Sequence, residues 1–131
     1  MEHKLTFLDG AMGTMLQRHG LKLGEIPELL GITQPDLLTN IHRQYIEAGT
    51  EIVYANTFGA NRRKMQKTPY TVADVVSAAI SAAKKACIGT SARVAGYWPL
   101  GRTARTDGHA AVRDGGGYVR GDCGRGRERG R

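Results

Sequence analysis

Five residues, Glu51-Ile52-Val53-Tyr54-Ala55, limit the folds open to this chain more than any others. A strand with one face in water alternates apolar and polar residues. A run that is apolar at almost every position is instead a strand covered on both faces, as in a parallel sheet packed under helices. Asn56-Thr57 end the run. A shorter apolar segment, Lys4 to Leu8, closes on Asp9-Gly10, and Arg93-Val94-Ala95-Gly96-Tyr97 forms a third candidate strand. Helical patterns separate the three. The order β-α-β-α-β with right-handed crossovers implies a parallel sheet, open or closed.

The helical patterns carry their own start and stop signals. Met12, Met15, Leu16 and His19 recur at helical spacing, with Gly20 as a stop. Residues 20–33 hold three glycines and one proline and read as a loop, with Leu29 and Leu30 as anchors. Thr33-Gln34-Pro35-Asp36 predicts a helix start with Thr33 as cap. Leu37, Leu38, Ile41, Tyr45 and Ile46 then share one face, and Gly49 stands where a helix-ending glycine belongs. Thr71 and Asp74 repeat the capping spacing. Val72, Val75, Val76, Ala79, Ile80 and Ala83 mark a second buried face, Lys84 and Lys85 suit the C-terminal dipole, and Gly89 lies beyond.

The 131 residues, 40% of them apolar, allow one domain with a real core. No stretch approaches the roughly 20 apolar residues of a membrane span. Glu2 and the short first apolar run do not match a signal peptide, so the expected location is cytoplasmic, with no membrane partner. Composition breaks near Gly101. Residues 1–100 carry eleven Lys and Arg against eight acids; residues 101–131 carry eight arginines, four acids and nine of the 18 glycines. No apolar period survives in that tail, which is expected to be disordered. The two boundaries of the domain reading are therefore 1–100 and 101–131.

Asp9 places a carboxylate at a strand end, with Gly10 and Gly13 around a helix start. In α/β proteins ligands gather just outside the carboxyl ends of strands. Backbone N–H groups there accept an anion and the carboxylate holds a cation, a match for the two charges of an amino acid. The plainer reading makes Asp9 a helix cap in an ordinary β-to-α turn. Asn56 and Thr57 follow the central strand in the same way and either face the same mouth or cap the next helix. The Gly-x-x-Gly spacing is not a dinucleotide fingerprint, and no Lys-Ser or Lys-Thr follows to make a phosphate loop. Arg62, Arg63, Lys64 and Lys67 read as a solvated helix face or else as a contact for an anionic partner, and His42 as a surface or packing histidine. Cys87 and Cys123 lie far apart, with no metal-ligand spacing between them.

The stretches FLDGAMGTMLQ (7–17) and QPDLLTNIHRQYIEAGTEIVYANTFGANRRKM (34–65) resemble the homocysteine S-methyltransferase family, and within it the homocysteine-binding module that opens cobalamin-dependent methionine synthases. The likeness runs from about Leu5 to Leu100. It implies the first three βα units of a (β/α)₈ barrel, a fold of about 250 residues with its active site at the C-terminal strand ends. It implies that Asp9 and the backbone of Gly10 and Ala11 hold the amino and carboxylate groups of homocysteine, with Asn56 and Thr57 lining the pocket. In the family a zinc ion on three cysteines binds homocysteine as thiolate, which attacks a donated methyl group. Neither Cys87 nor Cys123 matches a ligand position. Methylcobalamin is the implied methyl donor of the parent enzyme, whose cobalamin- and folate-binding modules lie elsewhere.

The tail suggests a change of reading frame. Codons permitted for Thr103 to His109, read one nucleotide later, spell Leu-Leu-Glu-Pro-Met-Gly-Thr, and permitted codons beyond continue as an apolar helical segment. The expected product is a truncated, inactive fragment of a methionine-forming enzyme. Two other classes compete with it. One is a non-catalytic amino-acid-binding module built on Asp9 and the glycine turn. The other is a nucleic-acid-binding protein working through its arginine–glycine tail, which the preferred reading sets aside.

Overall fold

The computed structural model describes residues 5–97 and 118–121. In chain order it contains α1 (Met12–Arg18), a single 3₁₀ turn (Pro27–Leu29), α2 (Leu30–Thr33), α3 (Pro35–Glu47), β1 (Ile52–Tyr54), α4 (Arg62–Met65), α5 (Val72–Cys87), β2 (Arg93–Tyr97) and β3 (Tyr118–Gly121). The sheet order is β1-β2-β3. β1 and β2 run parallel, with Val53 opposite Val94, and the helical crossover between them is α5. Phe7 to Asp9 extends the parallel arrangement on the other side of β1. The N–H groups of Glu51 and Ile52 both donate to Phe7 O, at 2.9 and 3.2 Å, and Asp9 N–H donates to Ile52 O at 3.2 Å.

Local signals account for the long helices. Thr71 Oγ1 accepts from Asp74 N–H at 3.2 Å while Asp74 Oδ2 accepts from Thr71 N–H at 2.9 Å, closing both halves of a capping box at the start of α5. The hydroxyl bond from Thr71 holds the exposed Asp74 carboxyl below the usual carboxylate range. α3 ends at Gly49, whose φ of +107° is a left-handed conformation that suits glycine. α5 buries Val75, Val76, Ala79, Ile80 and Ala83 against Val53 and Val94 of the sheet. A second cluster joins Leu16 of α1, Leu30 of α2, Leu38 and Ile41 of α3 and Ala82 of α5. Each fully buried Val, Leu or Ile contributes about 1.5–3 kcal/mol, so these two clusters fix α3 and α5 and with them the strand ends.

Four expectations change. The first strand is reduced to one isolated bridge, Leu8 to Ile52, with Lys4 outside the described residues. Among the described residues it has a neighbour on one side only, and Leu5, Phe7 and Leu8 stay exposed at 75%, 62% and 53%. Residues 20–33 are not wholly loop. Pro27 opens the 3₁₀ turn, and α2 lies so close to α5 that a Cβ on Gly31 would come within 2.9 Å of Ala79 N. Thr33 does not cap α3. Gln34 holds that position without a side-chain bond, and Thr33 Oγ1 donates back to Leu29 O at 3.2 Å. Finally, the tail is not without structure at Tyr118–Gly121, which pairs antiparallel with β2, Ala95 opposite Arg120. The free edge of β2 presents unpaired N–H and C=O groups, and an extended segment that reaches it satisfies them whatever its composition.

Candidate functional site at the strand ends

Asp9 leaves the sheet at the carboxyl end of the first strand segment and turns its side chain back across β1. Its Oδ2 accepts from Tyr54 N–H at 3.0 Å. Burial pushes its carboxyl up to about 6, against the pull of backbone N–H bonds from Tyr54 and from Asp9 itself. The cap reading fails here. Ala11 is the N-cap of α1 and makes no side-chain cap bond. Among the described residues the N–H groups of Gly10 and Ala11 find no acceptor, and both residues are exposed. A partly desolvated carboxylate thus stands next to two exposed, unengaged amides.

Tyr45 of α3 shapes this turn, and the sequence reading had placed it only on the buried helix face. Its hydroxyl donates to Ala11 O at 3.3 Å. A Cβ on Gly10 would lie 3.0 Å from Tyr45 Cε1 and Oη, so the ring takes the space a side chain at position 10 would need. The spacing of 34 residues gives no local sequence signal for the pair.

Asn56 and Thr57 follow β1, one strand over, and are nearly or fully buried. Asn56 Nδ2 donates to Pro27 O at 2.8 Å, tying the 3₁₀ turn over the strand end. Thr57 Oγ1 donates to Ala55 O at 3.4 Å. Capping of α4 falls to Asn61, whose Oδ1 accepts from Lys64 N–H at 3.0 Å, so Asn56 and Thr57 are not that cap. The signal was present in the sequence, a cap-type residue directly before Arg62-Arg63-Lys64-Met65.

Glu28, carried by the 3₁₀ turn, is 5% exposed, and its Oε2 has no hydrogen-bond partner. Lys64 Nζ approaches that oxygen at 3.8 Å. The two side chains fill the space beside Gly59. A Cβ there would collide with Glu28 Oε1 and lie 2.5 Å from Lys64 Nζ. Arg62 and Arg63 are exposed, as a solvated face requires. His42 is fully buried with both ring nitrogens unpartnered, and burial lowers its pKa to about 4. It is a packing histidine.

The sequence profile of the homocysteine S-methyltransferase family matches residues 6–122. The chain belongs to that family. The match continues past Leu100, where the sequence reading had ended the likeness, and takes in β3. The chain is 43% identical over 74 residues to a methionine synthase of Mycobacterium leprae and 44% identical over 72 residues to one of Mycobacterium tuberculosis. These matches cover 52% and 50% of the chain but 6% of each relative, so the chain spans a small part of those proteins. Its fold is similar to the metallated homocysteine methyltransferase MmuM from Escherichia coli, with a TM-score of 0.64 at 22% identity, over 72% of this chain and 38% of that one.

The Escherichia coli structure is of a metallated form, and the described residues here bring no comparable ligand set together. Among the described residues no three of His, Cys, Asp and Glu come together. Cys87 is buried at the end of α5, and Cys123 lies outside the described residues. No step through zinc follows from these side chains. Among the described residues no helix is long and apolar enough to cross a membrane.

Proposed function

We propose that the chain forms the amino-acid-binding face of a homocysteine S-methyltransferase of the methionine-forming type. It holds homocysteine through Asp9 and the amides of Gly10 and Ala11, without carrying out methyl transfer by itself. The observation that carries this reading is the Asp9 carboxylate fixed on Tyr54 N–H beside two unengaged amides. The carboxylate takes the substrate's ammonium group and the amides its carboxylate. Asn56 contributes by fixing the neighbouring strand end under Pro27, and Thr57 lines the same strand end.

The parallel order of the Phe7–Asp9 segment, β1 and β2, together with the likeness to MmuM, supports reading the fold as the opening units of a (β/α)₈ barrel. On that reading the zinc-binding thiolates, the methylcobalamin donor and the cobalamin- and folate-binding modules belong to parts of the intact enzyme outside this span, in the cytoplasm. We also keep the frame-change reading of residues 101–131. DNA sequencing through codons 90–131 and beyond checks it, and a shifted frame that meets stop codons overturns it.

Calorimetric titration of the full chain with L-homocysteine under reducing conditions tests the binding reading. Saturable binding at pH 7.5 is expected, weakened roughly 10–100-fold by Asp9→Asn, the range for a charge-assisted hydrogen bond. Absence of saturable binding to the wild-type chain would refute it.

A further inference from the structure

Two bonds tie Asp9 to β1, its N–H donating to Ile52 O and its Oδ2 accepting from Tyr54 N–H, yet neither reaches Gly10 or Ala11. Those two residues are held from elsewhere. α3 is anchored by Leu38 and Ile41, both fully buried, and Tyr45 projects from the next turn of the same helix. Its hydroxyl donates to Ala11 O at 3.3 Å, a carbonyl that also accepts from Met15 N–H at 3.4 Å, while its ring lies against Gly10. A trans peptide is planar, so its C=O and N–H point to opposite sides. Fixing Ala11 O toward Tyr45 fixes Met12 N–H on the other side and limits the rotation of the Gly10–Ala11 peptide before it. α1 has no side-chain cap to do this job.

We propose that Tyr45 is the positioning residue of the Asp9–Ala11 turn, setting the amides that meet the amino-acid moiety of the ligand. The inference rests on the homocysteine-binding reading above. Its hydroxyl and its ring act separately. The hydroxyl orients the Ala11 carbonyl, and the ring keeps residue 10 a glycine and the backbone close to α3. A purely structural Tyr45 would matter through its ring alone, since the ring supplies the packing with Leu16, Leu38 and their neighbours.

Tyr45→Phe keeps the ring and removes the hydroxyl, so it separates the two roles. Tyr45→Ala removes both. Amide resonances of the ligand-free full chain are read by ¹⁵N–¹H correlation, urea midpoints are measured for each variant, and L-homocysteine is titrated into each. In Tyr45→Phe the amides of residues 10–13 are expected to move while those of α5 stay. The urea midpoint is expected to fall only slightly, through the loss of one exposed hydrogen bond, and homocysteine binding to weaken about five-fold as the turn loses its set orientation. Unmoved turn amides, or wild-type affinity in Tyr45→Phe, overturns the proposal. A wild-type chain that binds no homocysteine overturns the proposed function, and the ligand-free amide resonances then decide alone whether Tyr45 positions the turn.

Discussion

His42 makes the fold sensitive to mild acid. In the open chain a histidine titrates near 6.5; inside this fold it titrates near 4, because its ring is fully buried with no partner for either nitrogen. Between those values the unfolded chain binds a proton that the folded one refuses. Stability from this group is complete above pH 6.5 and is lost as the pH falls toward 4. The full difference corresponds to about 3 kcal/mol, most of which is gone at pH 4.5. That is a large share of the 5–15 kcal/mol typical of a domain. Asp9 works in the opposite sense, since its raised pKa makes the folded state bind a proton more readily between 3.8 and about 6. Both chains to be compared should therefore carry Asp9→Asn. Urea unfolding followed by far-UV circular dichroism at pH 7.5 and 4.5, with and without His42→Leu, measures the term. The variant is expected to lose about 2–3 kcal/mol less on acidification. It should be no less stable than its parent at pH 7.5, because the substitution also removes two unsatisfied nitrogens. Equal acid sensitivity in the two chains would refute the reasoning.

Other expectations can be checked with the same unfolding assay. Gly59→Ala should destabilise by no more than about 1 kcal/mol, since the ends of Glu28 and Lys64 must swing aside, and Glu28→Ala should recover most of that loss in the double variant. Thr71→Ala opens the capping box of α5 and should cost about 1 kcal/mol, with Thr71→Asn restoring most of it. Leu38→Ala empties a fully buried site between α3 and its neighbours and should cost about 2–5 kcal/mol. Asp9→Asn should stabilise the ligand-free chain above pH 6, where the native carboxylate is charged and partly desolvated. Solvent screening holds the gain to about 1 kcal/mol, and a stability that drops instead would count against the raised pKa.

What could be read from the sequence was local. The capping box at Thr71 and Asp74, the buried face of α5 and the left-handed Gly49 each declare themselves within a few residues. So did the position of Asp9 at a strand end. What escaped depends on groups distant in sequence. An apolar run such as Lys4–Leu8 becomes a strand only with partners, and among the described residues it meets β1 alone. Residues 20–33 look like loop by composition, yet Leu30 enters the core and Gly31 sits on the backbone of α5. Tyr45 and Ala11, Glu28 and Gly59, and Asn56 and Pro27 are pairs that only the folded chain brings together. Tyr118–Gly121 is the extreme case. Its pairing depends on an available edge rather than on its own residues, and no apolar pattern marks it.

The direction of β3 has a topological consequence. A parallel sheet grows by adding each new strand, through a crossover, to its last open edge. Here that edge of β2 is already taken, over Val94 to Tyr97, by a strand running the other way. Any further parallel strand, whether from this chain or from a complementing polypeptide, must first peel β3 off. Among the described residues the opposite border, at Leu5 to Leu8, carries no such guard. Growth of this sheet is thus polar, blocked at one side and open at the other, and a complementing fragment would meet less resistance at Phe7 than at Ala95.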